Sequence, residues 1–113
     1  MRLRIDTSEV KFRVAGTAKP KKDHRDKTGN TQARTLDGAP VWVVRLTAIE
    51  ADRETAETIW VEVAGDEPKL TLDDLAQVTG LTFAPWVNRQ NKIVRSFRAD
   101  AITADGQSAR RAA

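Results

Sequence analysis

The chain contains no cysteine and no tyrosine, and only one histidine and one methionine. Without cysteine there can be neither a disulfide framework nor a thiolate metal site. The sole histidine, His24, has no second imidazole to help it bind a metal. It stands in the basic stretch KPKKDHRDK, where a plain surface role accounts for it. Long apolar runs are missing too. Charges interrupt every such run in the opening MRLRIDTSEVKFRV, and neither a secretory segment nor a membrane span can be placed there or elsewhere, so a cytoplasmic protein is the expectation. The metalloprotease pattern HExxH, the phosphate loop GxxxxGK and the nucleophile elbow GxSxG are all absent. The sequence therefore points away from an enzyme: no catalytic residue, metal or cofactor is expected.

What is present is enough for one domain. With 113 residues the chain can bury a real hydrophobic core, but not two independent ones. Its net charge of +3 hides an uneven distribution. Residues 1–35 carry ten Lys or Arg against four acids, residues 36–75 three against ten, and residues 76–113 six against two. Such a molecule can draw a polyanion to one face and repel it from another. A solvated surface with chance clustering is the simpler alternative.

Five stretches have strand character. Val10, Phe12 and Val14 alternate with Lys11 and Arg13, the period-two pattern of a strand with one dry and one wet face. The second runs from Val41 to Ile49 and is the most apolar; Trp42 reads as core. The third, Thr58–Val63, sends Ile59, Val61 and Val63 inward and Trp60 outward, and EADRET makes a hairpin turn between the two. The fourth, Leu81–Val87, contains Pro85, which confines it to an edge or a bulge. The fifth covers Ile93–Ile102. Phe12, Phe83 and Phe97 read as core. In LTLDDLAQV, Thr71 and Asp74 have capping-box spacing, Leu70 and Leu75 match a hydrophobic staple, and Gly80 can end a short helix. Asp73 and Asp74 then serve that helix rather than any chemistry. The expected fold is mainly β: a single domain over residues 1–113, with a flexible basic loop at 16–40, a frayed tail at 104–113, and five antiparallel strands with a helix between the third and fourth. That order suits an OB-fold-like barrel, with an SH3-like barrel or a small α+β roll as alternatives.

The candidate ligand is a nucleic acid. Lys11 and Arg13 on the first strand, Arg45 on the second, Arg89 and Lys92 in the NRQNK turn, and Arg95 and Arg98 on the last strand could hold a phosphate backbone. Arg95 shares parity with Phe97, so it reaches the outside only through a bulge or at a strand end. Lys19, Lys21, Lys22, Arg25, Lys27 and Arg34 form a cationic arm. Trp60 and Trp86 fall on faces that alternation leaves exposed, and an exposed indole beside arginines can stack an unpaired base without reading its identity. The same indoles could cover a dimer interface or bind a partner protein, since Trp and Arg also dominate protein hot spots. Glu50, Asp52, Glu54 and Glu57 form an acidic tip without calcium-loop spacing, which suits a soluble turn or a surface that repels nucleic acid.

DGAPVWVVRLTAIE leading into the acidic hairpin and TIWVEV, followed by GLTFAPWVNRQNKIVRSFRADAIT, resembles the small OB-fold single-stranded-DNA-binding proteins of filamentous phages and actinobacterial plasmids over about residues 9–103. The resemblance implies cooperative, sequence-poor coating of single-stranded DNA, more readily than RNA, by a symmetric homodimer in replication or transfer of a mobile element. By position, Trp60 and Trp86 resemble stacking residues, and Lys11, Arg13, Arg45 and Arg98 resemble backbone contacts. The phage proteins use tyrosines, which this chain lacks.

Overall fold

Alternating residues build nearly all of the observed architecture. The computed structural model describes residues 2–23, 28, 31–50 and 55–105, and these form eight strands and no helix. The strands are β1 (Leu3–Arg4), β2 (Val10–Pro20), β3 (Val41–Glu50), β4 (Thr55–Ala64), β5 (Leu75–Thr79), β6 (Thr82–Val87), β7 (Ile93–Ala99) and β8 (Ala101–Ala104). They pair in the order β1-β6-β7-β4-β3-β2-β5-β8.

The sheet is strongly curled. β2 pairs with β3 along most of its length and also with β5, through Phe12↔Ala76 and Arg13↔Leu75. β8, last in the order, follows β7 in the chain after the single residue Asp100. The run 93–104 therefore lies beside β4 through β7 and beside β5 through β8. This bends the sheet around a core of Phe12, Val14, Val44, Leu46, Ile59, Val61, Val63, Ala76, Val78, Leu81, Ala99 and Ile102. Leu46, Val14, Val44 and Val61 are its largest fully buried side chains, each stabilising the fold by roughly 1.5–3 kcal/mol. Trp42 packs against the core and donates its indole N–H to Gly65 O at 3.0 Å. Phe97 also packs there, and half-buried Phe83 lies 6.1 Å from it, ring to ring.

The expected helix does not form. Asp73 takes the left-handed conformation (φ 70°), and the chain turns instead of winding on. Asp73 N donates to Val14 O, and Val14 N donates to Asp74 O, both at 2.8 Å, which fastens the segment to β2. Beyond the turn, Ala76 and Val78 are buried while Gln77 and Thr79 are exposed, the period of a strand. The cap-like residues Thr71, Asp73 and Asp74 are equally good turn formers, and pairing with β2 decides between the two.

The count of five strands also fails. β5 replaces the helix, β1 is an added edge strand, and the expected last strand breaks at Asp100 into β7 and β8. Nor are all the pairs antiparallel, because β4 and β7 run parallel. Gly80 has φ 66°, the left-handed region that favours glycine, and a Cβ there would meet the Asp100 side chain unless that side chain moved, so glycine suits the corner between β5 and β6. Pro85 sits where β6 has no second neighbour, since β1 reaches only Thr82 and Phe83. Part of the expected 16–40 loop is strand: β2 runs on to Pro20, and the bridges Lys22↔Gln32 and Arg34↔Pro40 continue the β2–β3 pair into an arm. At the other end of the chain, Asp105 N donates to Leu75 O at 3.1 Å, and the rest of the expected tail lies outside the described residues. Among the described residues no helix is long and apolar enough to cross a membrane.

Candidate nucleic-acid interface

Pairing register turns the outward residues into rows across the sheet's outer face. One row is Lys11, Ile49 and Ala56; the next is Arg13, Thr47 and Thr58; the third is Gly16, Arg45 and Trp60. The fourth crosses six strands as Lys19, Val43, Glu62, Arg98, Thr82 and Arg4. Lys11, Arg13, Lys19, Arg45, Arg98 and Arg4 are all exposed. They come from distant parts of the sequence, and the curl of the sheet collects them.

Trp60 is the centre of this face, 56% exposed, with the Arg45 guanidinium carbon 5.5 Å from the ring centroid. That guanidinium is held from behind by a 3.0 Å hydrogen bond from Nη2 to Ala15 O. It passes close over Gly16, where an added Cβ would come within 3.3 Å of Arg45 Nε. The register irregularity in β2 on either side of Gly16 puts this residue opposite Arg45. A cation on one side of an indole leaves the other side for a further flat group. Trp86, 51% exposed, lies on the same face as Trp60, because its partner Val94 shares parity with Arg98. It is two strand spacings away, about 10 Å across the sheet.

Glu62 is the one acid in these rows. Its side chain is 19% exposed and accepts Lys21 Nζ on one oxygen, while Arg98 Nη2 lies 3.8 Å from the other. Arg2 approaches from β1's side, donating from Nη2 to Ser96 O at 2.9 Å and from Nε to Thr82 Oγ1 at 3.1 Å. Burial lowers the Arg2 pKa, repulsion from Arg98 lowers it further, and Glu62 opposes both. Lys21, Arg98 and Arg2 thus gather around one carboxylate beside Trp60.

The remaining candidates divide. Arg89 and Lys92 are exposed in the β6–β7 turn, whose form is set by Asn88, the hydrogen-bond partner of the Gln90 and Lys92 N–H groups. Lys22 and Arg34 are exposed along the arm, and Arg25, Lys27 and His24 lie outside the described residues, as do Asp52 and Glu54. Arg95 is not part of the face. It lies on the concave side near the start of β7, ion-paired with Glu57 and with its guanidinium carbon 5.7 Å from the Phe97 ring centroid. Parity with Phe97 decides this, and exposure comes from the strand end. Glu50 and Glu57 share the parity of Ile59, so these two acids belong to the concave side.

Sequence reasoning missed Arg2, Arg4, Gly16 and Glu62. The alternation in MRLRI was a faint signal for the first two; the others needed the register. Among the described residues no three His, Cys, Asp or Glu side chains gather to hold a metal. No protein family matches the chain, and neither the curated proteins nor the solved structures contain a match.

Proposed function

We propose that the protein is a non-enzymatic, largely sequence-independent binder of single-stranded DNA that works in the cytoplasm in replication or transfer of a mobile element. The observation that carries this reading is Trp60, exposed and backed by Arg45, on a face where exposed cations outnumber the single, cation-paired Glu62. Phosphates would lie along Lys11, Arg13, Lys19 and Arg98, and unpaired bases would stack on Trp60 and Trp86. The arm residues Lys19, Lys21, Lys22, Arg25, Lys27 and Arg34 and the turn residues Arg89 and Lys92 would extend the track.

We read the fold as an OB-fold-like barrel without a helix, elaborated to eight strands. Its support is the connectivity: β2 bonds to both β3 and β5, β4 lies parallel to β7, and the 93–104 run bridges β4 and β5. This is the arrangement that the likeness to the phage and plasmid proteins implies. A second copy would cover Val87 and Ile93, which pair across the β6–β7 hairpin on the face opposite Trp86 and are 59% and 77% exposed. The rival, a protein adaptor using the same indoles, fits an acidic surround better than this basic one.

Titration with single- and double-stranded oligonucleotides of equal composition at several salt concentrations, followed by tryptophan fluorescence, tests the reading. Quenching with a preference for single strands, weakening steeply with salt, is expected. No binding at low salt would sink it.

A further inference from the structure

The outer face carries a gap between its two exposed indoles. Arg45 is the cross-strand partner of Trp60 and lies over its ring from the β3 side, 5.5 Å from guanidinium carbon to ring centroid. The open side of that indole therefore looks the other way, across β7 towards β6. Ser96 stands beside Trp60 on β7, one residue before the pair Val61↔Phe97, and Ala84 stands opposite Ser96 on β6. Both are small and half-buried. Trp86 follows two residues after Ala84, opposite Val94, and is half exposed. The two indoles thus bound a low floor of Ser96, Ala84 and Val94.

Cations mark the ends of this floor. Arg98 is two residues from Ser96 on the same side of β7, and Arg2 reaches the same place, donating from Nη2 to Ser96 O at 2.9 Å and from Nε to Thr82 Oγ1 at 3.1 Å. Lys92 is exposed in the turn beyond Val94. Glu62 pairs with Arg98 and belongs to the next row, outside the floor.

The width decides what fits. Stacked bases repeat at about 3.4 Å, and two strand spacings make about 10 Å, which is three such intervals: indole, base, base, indole. One base would leave about 3 Å unfilled, and three would need about 14 Å. Trp86 is also displaced by two residues, about 7 Å, along the strands. Shared over three intervals, that is a slip of about 2 Å each, and aromatic rings prefer such an offset to a face-to-face sandwich.

We infer that Trp60 and Trp86 are the two walls of a single site for a stacked pair of adjacent unpaired bases. The column runs Arg45 guanidinium, Trp60, base, base, Trp86, and the phosphodiester joining the two nucleosides lies towards Arg98 and Arg2. The unit bound is a dinucleotide step, not one base on each tryptophan separately. The site rests on the proposed function, which makes the ligand a single strand, and adds how many bases the indoles take and in what arrangement.

Strands of abasic deoxyribose phosphates of one length separate stacking from charge, because every member carries the same phosphates. One strand carries a single adenine, one carries two adjacent adenines, and one carries two adenines split by an abasic residue; the anisotropy of a fluorescent end label follows each titration. The adjacent pair should bind about tenfold more tightly than the single adenine, the scale of one added stack, and the split pair should stay near the single adenine. Trp86→Ala should remove the advantage of the adjacent pair, with circular dichroism to show that the sheet persists. An adjacent pair bound no more tightly than the single adenine or the split pair overturns the inference, as does an advantage that survives Trp86→Ala. Either result, with ordinary single-stranded oligonucleotides still bound, leaves the proposed function standing. Failure of the wild-type protein to bind an ordinary single strand at low salt overturns both.

Discussion

The two faces of this sheet are made from adjacent residues of the same strands and have opposite chemistry. On β2, Phe12 and Val14 are buried while Lys11 and Arg13 are exposed; on β3, Val44 and Leu46 are buried and Arg45 is exposed; on β4, Ile59 and Val61 flank Trp60. The inner set holds the fold together. The outer set is released from that duty, and its cations repel one another unless an anion or a carboxylate such as Glu62 lies among them. Stability and binding should therefore separate by residue parity.

The largest effect should come from the inner face. Leu46→Ala opens a cavity in a fully buried site and should cost about 2–5 kcal/mol of unfolding free energy. Arg13→Ala, on the outer face of the neighbouring strand, should change it by about 0.5 kcal/mol or less. Urea denaturation of the two variants checks this. Comparable losses would mean that the faces are not divided as parity indicates.

Next comes the outer face's own function. Trp60→Ala should weaken binding to a single-stranded oligonucleotide by about 1–3 kcal/mol, the range for one lost base–aromatic stack. Direct titration of the variant measures it, with circular dichroism to show that the sheet persists. Retained affinity would move the stacking role to Trp86 or remove it.

Much of this division was legible before any coordinates. Period-two alternation marks the core positions of β2, β3 and β4 and the outward placement of Lys11, Arg13, Arg45, Trp60 and Trp86, because a strand's faces follow from parity alone. Parity also puts Arg95 with Phe97 on the concave side. Three things were out of reach. The segment 70–79 carries cap residues compatible with helix and turn alike, and the hydrogen bonds from β2 that settle it join residues about sixty positions apart. At the break, Asp100 N donates to Thr79 O at 2.8 Å, a bond between residues about twenty positions apart. Glu62 appears in the sequence as one more acid in an acidic third, and only the register Glu62↔Arg98, with Lys21 reaching in from the arm, makes it the partner of two cations.

A smaller effect sharpens the assignment of cations to faces. Each Lys or Arg that neutralises a phosphate on a single strand contributes about 0.7 to the slope of log affinity against log salt. Arg13→Ala should reduce the magnitude of that slope by about this amount. Arg95→Ala should leave it nearly unchanged, since Arg95 lies on the concave side with Glu57 as its partner. Binding isotherms over a range of salt concentrations distinguish the two. Equal reductions would put nucleic acid on both faces.

The smallest effect concerns the turn Thr35–Gly38, where Asp37 is fully exposed and makes a different kind of contribution from the buried residues of the core. The Thr35 hydroxyl holds its pKa below the ordinary aspartate value, and the Ala39 N–H contributes in the same direction. A carboxyl group whose pKa is lower in the folded chain than in the unfolded one favours the folded turn at every pH above the unfolded value. That contribution is lost as pH falls through the folded value. The turn that carries Leu36 should accordingly be indifferent to pH around neutrality and loosen only in acid, below the normal range for aspartate. The Gly38 and Ala39 amide resonances, followed by NMR through an acid titration, should move with a midpoint below that range. Thr35→Ala should return the midpoint towards the ordinary value, because it deletes the hydroxyl that makes the largest contribution. A midpoint already ordinary in the wild-type chain would mean that the Thr35 hydroxyl does not hold the Asp37 carboxylate in solution.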